Sequence, residues 1–168
     1  AVGGVDITNL IAGAATQVTS HDGGALSLTA PGTLFDLVSS GPVYFPVACN
    51  VVIIGTIRGN GGSSSHQIPG AGVYPSEGKD MTFGIYVNDG LIPGSDLTFT
   101  WATTLAAGVV FPLPADFSMV VMGQAVIPAG THTVKIKARY IRYESGVTDW
   151  RSYVRVTSAK MVMTQNRR

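Results

Sequence analysis

The side chains that carry most enzyme chemistry are few in this sequence and lie far apart. The chain contains three histidines, His21, His66 and His132, and one cysteine, Cys49. No two of them stand at the short spacings of a zinc site, and one thiol cannot form an intrachain disulfide. We therefore expect no metal and no cofactor, and we interpret the three histidines as polar surface residues.

Carboxylates are more numerous, and a pair of them facing across a sugar is the arrangement that cleaves glycosidic bonds. Most, however, lie beside glycine, proline or turn positions, where Asp hydrogen-bonds the local backbone. These are Asp22, Asp80, Asp89, Asp96, Asp116 and Asp149. The sequence also lacks a nucleophile elbow, a dinucleotide-binding glycine motif and a phosphate-binding loop. It predicts a protein that is not an enzyme, with a hydrolase whose acids meet only in the folded chain as the remaining alternative.

Charge is distributed unevenly along the chain. Residues 1–134 carry two basic and eight acidic residues, a net charge of −6, whereas residues 135–168 carry nine basic and two acidic residues, a net charge of +7. Such a split allows neighbouring copies to meet with complementary potentials. The alternative is that the C-terminal strands simply expose a solvated cationic face. The residues of the candidate subunit interface are Lys135, Lys137, Arg139, Arg142, Arg151 and Arg155.

Aromatic residues interleave with these cations, a combination found in grooves that bind single-stranded nucleic acid. Tyr140, however, has the opposite strand parity to Lys135, Lys137 and Arg139. The sequence pI of about 8.1 also lies below the value above 9 that is typical of a dedicated binder. We therefore expect no nucleic-acid partner.

The elements that must position these residues are predicted to be strands. Helical periodicity is nearly absent, and short apolar runs recur between Gly, Pro, Asn and Asp, which is typical of an all-β sandwich or barrel. An apolar alternation over residues 81–88 ends in the turn-forming residues Asn88-Asp89-Gly90, and this pattern predicts a hairpin. In residues 131–143 one parity is apolar and the other is largely cationic, which predicts one core face and one solvent face.

Several irregular positions are also predicted. A strand over residues 33–38 is expected to precede a turn at Gly41-Pro42, and a bulge near Ser158 would keep Val154, Val156, Met161 and Met163 inside. Residues 59–80 are glycine-rich and predict a long surface loop. Its candidate surface residues are Ser63, Ser64, Ser65, His66 and Tyr74. Residues 1–30 are weaker strand candidates, expected to form either an extended N-terminal arm or edge strands.

The surface of the protein is predicted to be unusually apolar. Charged residues make up only 12% of the chain, about half of the roughly 25% in a typical soluble protein. The longest apolar run, residues 43–54, is interrupted by Pro46 and Asn50 and is too short to span a membrane. We expect homo-oligomerisation to bury the apolar surface. Met119, Met122, Met161 and Met163 would suit an adaptable interface if they point outward and the core otherwise.

Three segments resemble the jelly-roll domains of bacteriophage structural proteins: residues 81–91, residues 124–140 with their Pro128-Ala129-Gly130-Thr131-His132 entry into a strand, and residues 154–164. The same pattern resembles the small single jelly-roll capsid proteins of tailless phages. This resemblance implies a single all-β, antiparallel jelly-roll domain over residues 1–168, with no catalytic residues. It further implies a capsid, capsid-surface or fibre-head subunit, made in the host cytoplasm, whose partners are its own copies and other virion proteins.

A carbohydrate-binding β-sandwich is the alternative function. Its groove would be formed by the loop of residues 59–80 or by aromatic residues such as Tyr74, Tyr86 and Trp101. The partner would then be a glycan on the host surface.

Overall fold

The computed structural model describes residues 16–28, 30, 32–63, 77–103, 115–143 and 152–166, and all regular elements in them are β-strands. The strands are β1 (Thr16–Gly23), β2 (Leu26–Leu28), β3 (Phe35–Phe45), β4 (Cys49–Ser63), β5 (Glu77–Val87), β6 (Gly90–Leu91), β7 (Leu97–Thr103), β8 (Ala115–Ile127), β9 (Gly130–Tyr143) and β10 (Ser152–Asn166).

The strands form two five-stranded antiparallel sheets. The first sheet has the order β1-β10-β4-β8, with β2 also paired to β10. The second sheet has the order β3-β9-β5-β6, with β7 also paired to β5. The chain changes sheets at six connections, which is the winding of a jelly roll: β2 to β3, β3 to β4, β4 to β5, β7 to β8, β8 to β9 and β9 to β10. The predicted all-β antiparallel jelly-roll sandwich is confirmed.

The core lies between the two sheets and follows the parity that the sequence predicts. On β9, Val134, Ile136, Ala138 and Tyr140 are buried, while the alternate residues lie towards solvent. Because side chains of a strand point alternately to its two faces, one face of β9 packs against the first sheet and the other carries its lysines.

The predicted bulge in β10 is present. The register between β10 and β4 shifts between Val156 and Ser158. As a result Val154 and Val156 on one side of the shift and Met161 on the other are all buried. The extra residue of the bulge changes which alternate residues of β10 point into the core. Strand β10 therefore keeps apolar side chains in the core on both sides of the bulge.

The turn predicted at Gly41-Pro42 is wrong, because β3 continues through these residues to Phe45. Its pairing with β9 shifts register between Ser39 and Pro42, and Gly41 has a positive φ of 64°. The strand tolerates Pro42 because β3 is at the edge of its sheet, where a missing backbone N–H breaks no ladder bond. The turn signal thus marks a bulge within an edge strand.

Two other predictions are only partly met by the described residues. Residues 1–30 were expected to form either an arm or edge strands; residues 16–23 and 26–28 are strands paired with β10, while residues 1–15 lie outside the described residues. Of the predicted loop over residues 59–80, β4 extends to Ser63 and β5 begins at Glu77. Residues 64–76 lie outside the described residues.

Candidate assembly surface

The outer face of the first sheet carries apolar side chains where a solvated sheet face is usually polar. On β4, Val51, Ile53 and Ile57 are buried in the core, whereas Ile54 points outward and is exposed. The alternation is therefore apolar on both sides, which is the pattern of a strand covered on both faces.

Strand β8 repeats this pattern. Val121 and Ile127 lie in the core, while Val120, Met122 and Val126 are 54%, 58% and 72% exposed. These exposed apolar side chains form a stripe along the strand that is interrupted by one polar residue, Gln124.

The outward residues of neighbouring strands lie side by side. Ile54 pairs with Met122 of β8 and with Val162 of β10. Val18 of β1, which is also exposed, pairs with Thr164 of β10. We call the exposed residues of this surface the apolar face; they are Val18, Ile54, Val120, Met122 and Val126.

Charges on the same sheet lie towards one end of it. Arg58 pairs with Ser118, and Lys160 makes an exposed ion pair with Asp22 at 3.9 Å. Arg155, opposite Asn60, is exposed near the same end. Shallow depressions surround Arg58. The apolar face begins at Val120, which Thr56 separates from Lys160 on the same rung of the sheet, and runs towards Val126.

The candidate interface residues are divided between the two sheets. Lys135, Lys137 and Arg139 lie on β9 of the second sheet, whereas Arg155 lies on the first. The backbone of Arg142 pairs with Lys79, and Arg151 lies outside the described residues. The sequence placed these residues in one basic segment, but the jelly-roll winding sends β9 and β10 to opposite sheets.

Lys135 and Lys137 already have partners within the chain. Lys135 Nζ lies 2.9 Å from Asp36 Oδ2 and 3.4 Å from Asp89 Oδ1. Lys137 Nζ lies 3.5 Å from Asp36 Oδ1 and 2.6 Å from Asp89 Oδ1, and 5.2 Å from the centre of the Tyr86 ring. The acidic N-terminal part and the basic C-terminal part of the sequence thus meet inside one molecule.

This charge cluster alters the titration of its members. The hydrogen bond from Lys137, followed by the charges of both lysines, lowers the pKa of the Asp89 carboxyl from its usual value. The pKa of Lys135 is raised chiefly by its hydrogen bond to Asp36, and that of Lys137 chiefly by its hydrogen bond to Asp89. All three groups remain charged at neutral pH.

The remaining candidate residues fall as follows. Ser63 ends β4, opposite Ser152, and the other candidate loop residues, Ser64, Ser65, His66 and Tyr74, lie outside the described residues. Tyr86 is partly covered and lies beneath Lys137. Trp101 is in β7, but its side chain is outside the described residues. Of the three aromatic residues named for the carbohydrate-binding alternative, only Tyr86 has its side chain among the described residues.

No cluster of three or more His, Cys, Asp or Glu able to hold a metal occurs within the residues that the structure describes. His132, interpreted as a surface residue, is instead partly buried and edge-to-face with Phe45 at 5.9 Å between ring centres. In the described part of the chain no helix is long and apolar enough to cross a bilayer.

Sequence reasoning missed the apolar face as a unit. Of the four methionines considered for an interface, Met161 and Met163 are buried, Met119 packs partly against the core, and Met122 alone is outward and exposed. The signal was the run Met119-Val120-Val121-Met122, which is apolar at both parities. Pairing Met122 with Ile54 requires the sheet order, which periodicity within one strand does not provide.

Jelly-roll β-sandwiches are the class of protein that this fold defines. No family model matches the chain, and no curated protein matches it. Among solved structures, VP2 in the subviral particle of infectious bursal disease virus is 12% identical with a TM-score of 0.44, covering 92% of this chain and 38% of that one. The structure of the Gt strain of the same virus is 12% identical with a TM-score of 0.46, covering 92% of this chain and 38% of that one.

The CBM36-1 domain of a multidomain xylanase from the hindgut metagenome of Trinervitermes trinervoides is 11% identical with a TM-score of 0.32, covering 86% of this chain and 96% of that domain. The chain spans little more than a third of the length of the viral proteins.

Proposed function

We propose that this protein is a non-enzymatic structural subunit of a virus particle, specifically of a bacteriophage, that assembles with copies of itself and with other virion proteins. Its place in the particle is in the capsid, on the capsid surface or at the head of a fibre. The jelly-roll winding and the resemblance of residues 81–91, 124–140 and 154–164 to phage structural proteins support this proposal. The protein would be made in the host cytoplasm and function in the virion.

The apolar face is the observation that carries the proposal. Fully burying one Val, Ile or Met side chain contributes about 1.5–3 kcal/mol, and this face exposes five of them in adjoining rows. In a monomer these side chains stay in contact with water, whereas contact with another subunit would bury them and so contribute part of this free energy. Charged residues are depleted from the centres of protein interfaces, and they are confined to one end of this surface.

The proposal moves the assembly surface from the basic residues of β9 to the first sheet. Lys135 and Lys137 hold Asp36 and Asp89 of their own chain, so their charges are largely compensated within one subunit. An interface through them would have to exchange existing ion pairs for new ones. The apolar face has no such competing partner within the described residues.

Mass in solution tests the proposal. We expect light scattering to give an oligomer of the 17.5 kDa chain, and expect it to persist at high salt because apolar contacts are not screened by ions. The double variant Met122→Lys with Val126→Lys should be a folded monomer. The matched control, Tyr44→Lys, replaces an exposed aromatic residue on the second sheet and should leave the oligomer intact.

Two outcomes count against the proposal. A wild-type protein that stays monomeric at every concentration and salt level would remove the structural role. Glycan binding by such a monomer would favour the carbohydrate-binding alternative. An oligomer that Tyr44→Lys dissociates and the β8 variant does not would place assembly on the second sheet.

A further inference from the structure

Strand β8 has an unpaired edge. In the described part of the chain it lies at the end of the first sheet and pairs only with β4, from Ala115 to Ile127. Its 13 residues give an edge of about 44 Å at roughly 3.4 Å per residue. A row of backbone N–H and C=O groups along this edge is left without a ladder partner within the described residues, and such an edge is a template for another strand.

Two other edge strands, β3 and β1, carry features that discourage pairing. Strand β3 contains Pro42, a positive-φ Gly41 and two register shifts. Strand β1 has only eight residues and ends with Asp22 and Gly23. Short length, proline, bulges and charges are the usual protections of sheet edges.

Strand β8 lacks these protections. It contains no proline, its pairing with β4 has no register shift, and Asp116 at its start is its one charged residue. From Phe117 to Ile127 its residues are uncharged. A long, regular and uncharged edge next to exposed apolar side chains favours pairing with a strand of another chain.

We propose that the edge of β8 pairs antiparallel with the edge of β8 in a second copy of this chain, so that the two first sheets become one continuous sheet. This inference rests on the proposed function, because it specifies how two of the assembling subunits meet. The occupant is a second copy because a twofold axis at Gly123, the centre of the uncharged stretch from Met119 to Ile127, makes the edge complementary to itself.

Charge supports the antiparallel direction. A parallel arrangement would place the two Asp116 carboxylates side by side, whereas an antiparallel arrangement about Gly123 separates them by some fourteen residue steps, about 48 Å. In that register Val120 lies opposite Val126 of the second copy, and Met122 lies opposite Gln124. The apolar faces of both copies then join into a single surface.

Paired cysteines test this arrangement. In the Met122→Cys/Gln124→Cys variant each new thiol lies directly opposite one of the second copy, within the reach of a disulfide. Two cysteines two residues apart on one strand are about 6.8 Å apart, at the far limit of disulfide geometry, so the bridge between directly opposite residues is favoured. We expect mild oxidation to yield a covalent dimer in most of the protein. The native Cys49 is buried and stays in place.

The matched control is Ile54→Cys, exposed on the same face but on β4. With β8 edges paired, the two β4 strands are separated by three inter-strand spacings, about 14 Å, so this variant should not cross-link. Hydrogen exchange gives a second measurement. Alternate backbone amides of β8 should become protected when the wild-type protein is compared with the monomeric Met122→Lys/Val126→Lys variant.

The outcomes separate this inference from the proposed function. Efficient cross-linking through Ile54→Cys, with the β8 amides exchanging freely in the oligomer, would show face-to-face packing and overturn edge pairing while leaving the structural role. A monomeric wild type with no cross-linked product would overturn both.

Discussion

The side-chain amide of Asn88 joins the β5–β6 turn to β9 by binding His132. Its Oδ1 accepts the backbone N–H of Thr133 at 2.9 Å, and this orients the amide so that Nδ2 donates to His132 Nδ1 at 2.8 Å. His132 must therefore carry its proton on Nε2, which is buried and has no partner within the described residues. The hairpin turn is thus tied to the strand beside it through a histidine of fixed tautomer.

Asn88→Ala should lower the free energy of unfolding by about 2–3 kcal/mol. It removes two side-chain hydrogen bonds, at about 1 kcal/mol each. It also leaves alanine at a φ of 47°, a conformation that the side chain of Asn can stabilise by local hydrogen bonds and that of Ala cannot. Urea unfolding followed by tryptophan fluorescence measures the change. Asn88→Gly is the control, because it loses the hydrogen bonds but accepts the positive φ, and it should cost less than Asn88→Ala.

Gln165→Leu should stabilise the protein by about 1–3 kcal/mol. Gln165 is 1% exposed, and neither atom of its amide has a hydrogen-bond partner within the described residues. Burying such a group unpaired is costly, and an apolar side chain of similar size removes that cost. The unfolding midpoint in urea measures the gain.

Gln124→Leu serves as the control for Gln165→Leu, since Gln124 is exposed on the outer face of β8 and its replacement should change stability by no more than about 0.5 kcal/mol. A loss of stability in Gln165→Leu would contradict the prediction and indicate that the amide is hydrogen-bonded in solution.

Gly55→Ala should destabilise the protein by about 1–3 kcal/mol, the usual cost of overpacking a core. A Cβ at this position would collide with Ile136 of the opposite sheet and lie 2.8 Å from Val121 Cγ2. Differential scanning calorimetry would show a lower Tm. At Gly24 an added Cβ meets nothing within 4 Å, so Gly24→Ala should leave the Tm nearly unchanged. Equal effects of the two substitutions would argue against close packing of the sheets at Gly55.

Asp89→Asn should reduce stability at pH 7 and leave it unchanged in strong acid. The pKa of Asp89 is lowered by its hydrogen bond from Lys137 and by the two lysine charges. A carboxyl with a lowered folded pKa contributes stability above its unfolded pKa, about 3.9, and that contribution is lost as pH falls through the folded pKa. Urea midpoints of both proteins between pH 2 and pH 7 should therefore converge below about pH 4.

Asp96→Asn is the matched control for Asp89→Asn, because Asp96 is an exposed aspartate in a neighbouring turn with no ion pair within the described residues. Its unfolding curve should follow the wild type more closely at every pH. Salt at 1 M should also diminish the effect of Asp89→Asn, since exposed charges are screened.

Local features of the fold could be predicted because they depend on residues close together in the chain. The alternation in β9, the hairpin turn at Asn88-Asp89 and the bulge before Ser158 are all visible within single strands. The turn expected at Gly41-Pro42 failed because the same residues also suit a bulge in an edge strand, and only the sheet order identifies β3 as an edge.

Contacts between residues on different strands could not be predicted from the pattern within single strands. The ion pairs of Lys137 join residues that are 101 and 48 positions away, Asp36 and Asp89, and no spacing rule connects them. The apolar face likewise depends on β8 lying next to β4. The low content of charged residues predicted an unusually apolar surface, but it did not show where the apolar residues would be exposed.

Sheet edges that differ in their protection limit the growth of an assembly. If both ends of the first sheet were open, strand pairing would continue from copy to copy and produce a fibril. Strand β1, with its short length and Asp22, closes one end, and β8 leaves the other open. If the β8 edges pair as we propose, addition of strands stops after one step, and larger structures must grow in other directions, through contacts between side chains.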